Sequence, residues 1–128
     1  MALARGGFWY DATVRFVFVV GLFAGVLSAS PVEYSKESVK AGRRTYLRLC
    51  QYCHGTDGKA LANPDFEAPD LTAPTQWRFG DTDEALFKSI HDGAGHDMPP
   101  FKDQLEDDEI RRLVHFLRSI GPAKHRPQ

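Results

Sequence analysis

Cysteine is almost missing from this chain. Only Cys50 and Cys53 occur in 128 residues, three positions apart. That excludes a disulfide-rich scaffold, and a bridge between these two would close too small a loop to add much stability. Charge imbalance is missing as well, since the formal net charge is −1. Past residue 30 the balance is fourteen basic to sixteen acidic residues, net −2. That suits a phosphate backbone poorly, so no nucleic-acid partner is expected. Methionine is limited to Met1 and Met98. Internal repeats, low-complexity tracts and alternating strand patterns are absent, and no second domain is indicated. No apolar run reaches the ~17–20 residues that span a bilayer comfortably.

The longest apolar run is Phe16 to Leu27. Arg5 and Arg15 precede it, and Ser28-Ala29-Ser30 follows. Basic, then apolar, then small is the order of a secretory signal. Pro31 disfavours a cut directly before it, whereas cleavage after Ser28 places Val26 at the −3 position. The alternative is an uncleaved membrane anchor over residues 8–29, with Phe8, Trp9 and Tyr10 as interfacial aromatics. Residues 1–30 are therefore read as a signal peptide or anchor, and 31–128 as one domain. Both readings export that domain, because positive charge precedes the apolar run. A periplasmic location follows, with membrane contact only if the segment is retained.

Fewer than 100 residues then remain, a size that often needs a metal, disulfides or a cofactor to complete its core. Ser35 to Cys50 reads as a helix capped by Ser35, with Ser38, Val39, Gly42, Tyr46 and Leu49 at three- and four-residue steps. Gly42 in mid-helix costs up to about 1 kcal/mol relative to alanine, which points to close approach of another helix. From Gly55 to Gly80 the chain holds Pro64, Pro69 and Pro74, so no long element is expected. A loop this long is unusual in a compact domain unless it wraps a large ligand. Asp81-x-x-Glu84 resembles a capping box for a second helix to about Ile90, ended by Gly93. Pro99-Pro100 excludes helix up to Lys102. A third helix runs from Glu106 or Asp107 to Ser119. Its stripe comprises Ile110, Leu113, Val114, Phe116, Leu117 and Ile120, with Gly121-Pro122 at its end. The expected fold class is all-α.

Chemistry concentrates at Cys50-Gln51-Tyr52-Cys53-His54. Cys-x-x-Cys-His is the attachment signal of a c-type haem. Two thiols three apart add across two vinyl groups, and the adjacent histidine reaches the iron. A structural zinc site would need two further ligands from His54, His91, His96 and His115, at a spacing that fits no ordinary finger. A thioredoxin-like pair would need a βαβ context, which is absent. A plain disulfide is the remaining alternative.

Beyond these five residues the chain resembles class I bacterial cytochromes c, which carry one haem with His/Met ligation, and the cytochrome modules of cbb3-type oxidases. The resemblance covers about residues 36–121. It rests on Cys50 to Gly55 with Asp57-Gly58-Lys59, on Ala68-Pro69-Asp70-Leu71, on Asp97-Met98-Pro99-Pro100-Phe101, and on a terminal helix with Phe116. It implies the cytochrome c fold, three main helices and loops around one covalently bound haem c. It also implies His54 and Met98 as the axial iron ligands, 44 residues apart. By the same resemblance Pro69 offers its carbonyl to the other ring N–H of His54, and Leu71 packs on the haem face. Gly42 and Tyr46 would cross the last helix near Phe116. Trp77 and Arg78 fall where the family often places groups near the haem propionates; Trp77 reads equally well as core. Glu106 stands where the family often has a serine cap.

Among the other residues, His96 is the rival sixth ligand and otherwise a solvent-facing loop residue. His91 suits a helix end. His115 lies off the apolar stripe and is expected to be exposed, as is Tyr52. The acids from Asp103 to Glu109 read as a complement to the helix dipole. The function implied is single-electron transfer between redox protein partners, with no catalytic residue of its own. Alternatives are an electron-accepting subunit of one dehydrogenase or oxidoreductase complex, and a haem peroxidase or gas sensor with an open iron site.

Overall fold

A computed structural model of the chain describes residues 31–60 and 65–123. The segment read as a signal or anchor, residues 1–30, lies outside the described residues. The elements are helices α1 (Lys36–Leu49), α2 (Gln51–His54), α3 (Asp83–Asp92) and α4 (Asp107–Ile120), with a 3-10 turn at Pro74–Gln76. No strand occurs among the described residues; Ala94 and Met98 form a single isolated bridge. No helix among them is long and apolar enough to cross a membrane.

Helix α1 starts as its sequence dictates. Ser35 has extended backbone, and its hydroxyl oxygen accepts a hydrogen bond from Ser38 N at 3.0 Å. This satisfies one of the amide donors that a helix start leaves free. The helix packs across α4 at Gly42. A Cβ at that position would lie 1.9 Å from the carbonyl oxygen of Arg112, so only glycine permits the crossing. One turn on, Tyr46 meets Phe116 with ring centroids 5.0 Å apart. The most deeply buried large side chains, Tyr46, Ile110 and Leu113, all sit at this crossing or on α4 beneath it.

Helix α4 begins at Asp107, and Glu109 Oε2 accepts from the Glu106 amide at 3.2 Å. Reciprocal bonding by a glutamate three residues in lets Glu106 serve where serine is commoner. Helix α3 differs from its expected start. Thr82, not Asp81, caps it, its hydroxyl oxygen accepting from Ala85 N at 3.1 Å. The Asp81 backbone carbonyl accepts from the Arg118 guanidinium. Arg118 Nε also donates to Asp83 at 2.6 Å, tying the end of α4 to the start of α3. The guanidinium is buried, and these partners compensate its desolvation.

His115 corrects the sequence reading. It is buried, not exposed. Its Nδ1 shares a hydrogen bond of 2.6 Å with Ser38 Oγ, and its ring meets Tyr34 edge-on at 5.3 Å. An apolar stripe misses such a residue because the polar group that satisfies it comes from another helix.

Candidate haem site

The Cys-x-x-Cys-His motif straddles a helix joint. Cys50 ends α1 and begins α2, which carries Cys53 and His54. Gly55 then turns the chain with φ 75°, and its carbonyl accepts from the buried Tyr46 hydroxyl at 2.6 Å. Tyr46 thus ties the residue after His54 back to the helix crossing.

The second anchor folds onto the first. Leu71 N donates to Gly58 O at 2.7 Å, which brings Pro69 beneath His54. His54 Nδ1 lies 3.4 Å from the Pro69 carbonyl. That leaves Nε2 of a buried ring without a hydrogen-bond partner among the described residues. Asp70 stiffens the loop, its Oδ1 accepting from Thr72 N at 2.7 Å and Thr72 Oγ1 at 2.6 Å. The Thr72 hydroxyl bond holds this carboxyl below its ordinary range. Trp77 Nε1 donates to the Asp70 carbonyl at 2.9 Å, so its indole N–H is engaged by the loop itself.

Met98 comes from a third segment. Gly93 (φ 84°) ends α3, and an added Cβ there would meet the Met98 carbonyl at 2.8 Å. Ala94 N donates to that same carbonyl at 3.1 Å, and Phe101 N returns the chain to Ile90 O at 3.1 Å. These bonds hold the Met98 loop against the end of α3.

The three segments and the core helices enclose one cavity of about 390 Å³. Cys50, Cys53, His54, Pro69, Leu71, Trp77 and Met98 all line it. Its inner wall is apolar, with Leu86, Ile90, Leu113 and Leu117. Arg78 and Phe79 line it too and are exposed. Tyr52 is exposed as expected, at 71%, and its ring meets Phe66 of the cavity wall at 5.8 Å. His96 also lines the cavity but is exposed.

Electrostatics favour neutral groups here. No disulfide joins Cys50 and Cys53. Burial, reinforced by neighbouring Cys53, pushes the Cys50 thiol up to about 12. That opposes the thiolate a redox pair requires. Among the described residues, no three His, Cys, Asp or Glu side chains gather as a metal site. Burial lowers His54 below the ordinary histidine range, partly offset by the Pro69 bond. The ring is therefore neutral near pH 7, the form that ligates a metal. A buried, neutral, half-bonded histidine beside two thiols in an apolar cavity fits a covalently held haem.

Comparison with known proteins agrees. The family model described as cytochrome C oxidase, cbb3-type, subunit III matches residues 37–117. The chain belongs to this family. Cbb3-type cytochrome c oxidase subunit FixP of Bradyrhizobium diazoefficiens is 28% identical over 108 residues, covering 84% of this chain and 36% of that protein. The chain thus spans little more than a third of the length of such curated relatives. Among solved structures, cytochrome cL of Methylophaga aminisulfidivorans superposes with a TM-score of 0.59 at 28% identity, over 70% of this chain and 60% of that one. Cytochrome c6 of the diatom Phaeodactylum tricornutum does so with a TM-score of 0.51 at 26% identity, over 62% and 88%. The fold is the cytochrome c fold, and the cofactor is covalently bound haem c.

Tyr46 is the functional residue that sequence reasoning placed only in the core. Its spacing marks a buried position, but a hydroxyl reaching the residue after His54 leaves no trace in periodicity. Arg118, with its buried clasp on α3, escaped notice for the same reason.

Proposed function

We propose that this chain is a single-electron carrier whose haem c is bound through thioethers to Cys50 and Cys53 and ligated by His54 and Met98. The observation that carries this reading is the common cavity. His54 and Met98 reach it from segments 44 residues apart, and His54 Nε2 has no other partner among the described residues. The bound haem supplies an iron that alternates between ferric and ferrous.

The chain's own residues set how that happens. The Pro69 carbonyl holds the proton on His54 Nδ1, which aims Nε2 into the cavity and raises its basicity. Met98 offers a soft, neutral thioether, which favours ferrous iron and raises the potential. Held against the iron, it would also leave no open site for oxygen or peroxide. Leu71, Leu86, Ile90 and Leu113 keep water away, so little solvent must reorganise when charge changes. Trp77 and Arg78 both line the cavity; Arg78 would serve a haem propionate, whereas Trp77 spends its N–H on the Asp70 carbonyl and packs. Docking of redox partners is brief and uses a small surface, on the outer face of the membrane.

Similarity to oxidase subunits favours a second form of the same reading, in which the domain serves as the cytochrome subunit of one complex. A stoichiometric partner retained through purification supports it over a free shuttle.

The test is carbon monoxide. The reduced protein should leave it unbound, and the ferric protein should show the weak far-red band of methionine ligation. Ready binding of carbon monoxide by the unaltered protein, with no such band, would mean an open site, suited to a peroxidase or gas sensor.

A further inference from the structure

The cations carried by the long helices fall into two groups, while Lys59, Arg78 and Lys102 stand singly on the loops. Those of α3 and α4 are paired: Lys88 with Asp92 at 2.9 Å, Arg118 with Asp83 at 2.6 Å, and, more loosely, Arg111 with Glu84 and Arg112 with Asp108, each at 3.9 Å. Those of α1 are not. Lys36, Lys40, Arg43, Arg44 and Arg48 are all exposed, and none forms an ion pair among the described residues. The helix has one acid, Glu37, in its first turn.

These five share a side. At roughly 100° per residue, Gly42, Tyr46 and Leu49 face α4 and the haem cavity, and the five cations fall on the opposite arc. Arg44 and Arg48 continue into a shallow groove floored by Ala41 and Thr45, with Arg112 across it on α4. Glu109 also lines this groove, but its carboxylate is engaged on the Glu106 amide. Arg44 and Arg48, the two unpaired guanidinium groups of this depression, suit the oxygens of a phosphate diester, and they outnumber its one carboxylate.

We infer that the outer face of α1 is a docking surface for anionic phospholipid headgroups. Two observations select a bilayer over an acidic protein. First, this face points away from the haem cavity, so an electron-transfer partner seated there would be badly placed, whereas a membrane there leaves the haem side open. Second, α1 is the first helix after the apolar run that ends at Leu27, with eight residues between Leu27 and Lys36. Even fully extended, that link reaches only roughly 30 Å, so any membrane holding the run lies within reach of α1. The charge of the face acts with or without that tether, as basic surfaces do beside anionic lipid. The inference rests on the location proposed above and not on the haem's role.

The haem-loaded full chain is mixed with vesicles of phosphatidylcholine alone, or with phosphatidylglycerol added, and its lysines are acetylated over time. Lys36 and Lys40 should react several-fold more slowly on the anionic vesicles only, with Lys59 and Lys102 unchanged. High salt should abolish the protection, because exposed charges are screened. The triple variant Arg43→Gln, Arg44→Gln, Arg48→Gln should keep its haem spectrum and lose the protection. Equal rates for Lys36 and Lys40 on both vesicles would overturn the inference. So would protection centred on Lys59 or Lys102, or protection that grows with protein concentration without lipid, which would mean a second copy covers the face. The visible spectrum of the same samples reports haem binding separately, so failure of the site and failure of this surface are distinguishable.

Discussion

The two sides of this domain are held by different means. The crossing of α1 and α4 is finished by protein alone: Gly42 admits the Arg112 carbonyl, Tyr46 packs on Phe116, and Ser38 satisfies His115. The opposite side consists of the loops around Pro69 and Met98. They are closed by a few backbone bonds over a cavity their own side chains do not fill. One side is a small helical core, and the other is a shell that a ligand completes. A chain of this size can leave its core open because a covalent cofactor restores the missing apolar contact.

The largest expected effect comes from removing what fills the shell. In the variant Cys50→Ala, Cys53→Ala, made without attached haem, amides of residues 65–80 and 93–101 should exchange as in an unfolded chain. Those of α1 and α4 should keep measurable protection. Uniform exchange across both regions would break the contrast. Next in size is Gly42→Val, which drives a side chain into the Arg112 backbone. It should cost about 3 kcal/mol or more in guanidinium unfolding of the haem-loaded protein, with the haem ligation spectrum unchanged in the folded fraction.

Tyr46→Phe probes the link between the two sides. It leaves the Gly55 carbonyl without its donor and should cost about 1–2 kcal/mol. Since Gly55 follows His54, the reduction potential should also shift, which a purely packing role for Tyr46 would not produce. The smallest effect is a pH slope. Burial, aided by Arg112 and Arg111 and opposed by Asp83, holds His115 below the ordinary histidine range. The unfolded chain therefore takes up the proton first as pH falls. The contribution is complete above the unfolded value of about 6.5 and is lost as pH drops toward the folded value. Relative to the unaltered protein, His115→Gln should show a flatter loss of stability over that window.

Legibility in the sequence followed the same division. The helical side was written in spacing: Ser35 as cap, Gly42 as crossing point, and Ile110 to Ile120 as a stripe are all local patterns, and the structure keeps them. The motif from Cys50 to His54 named the cofactor for an equally local reason. Residues whose roles depend on distant partners were harder. His115 was misplaced at the surface because Ser38, 77 positions away, satisfies it. Asp81 is not the cap its spacing suggests, because α3 starts at Asp83 and the Thr82 hydroxyl, one position on, takes the Ala85 amide. The convergence of Pro69 and Met98 on one cavity came from family resemblance, since the proline-rich loops that carry them have no periodicity to read.

The pyridine haemochrome spectrum of the purified full chain reads the haem linkage itself. It should show the c-type signature with one haem per chain, resistant to acid–acetone extraction because the Cys50 and Cys53 thioethers hold it. A b-type spectrum with extractable haem, or no haem at all in protein matured alongside a known c-type cytochrome, would contradict it.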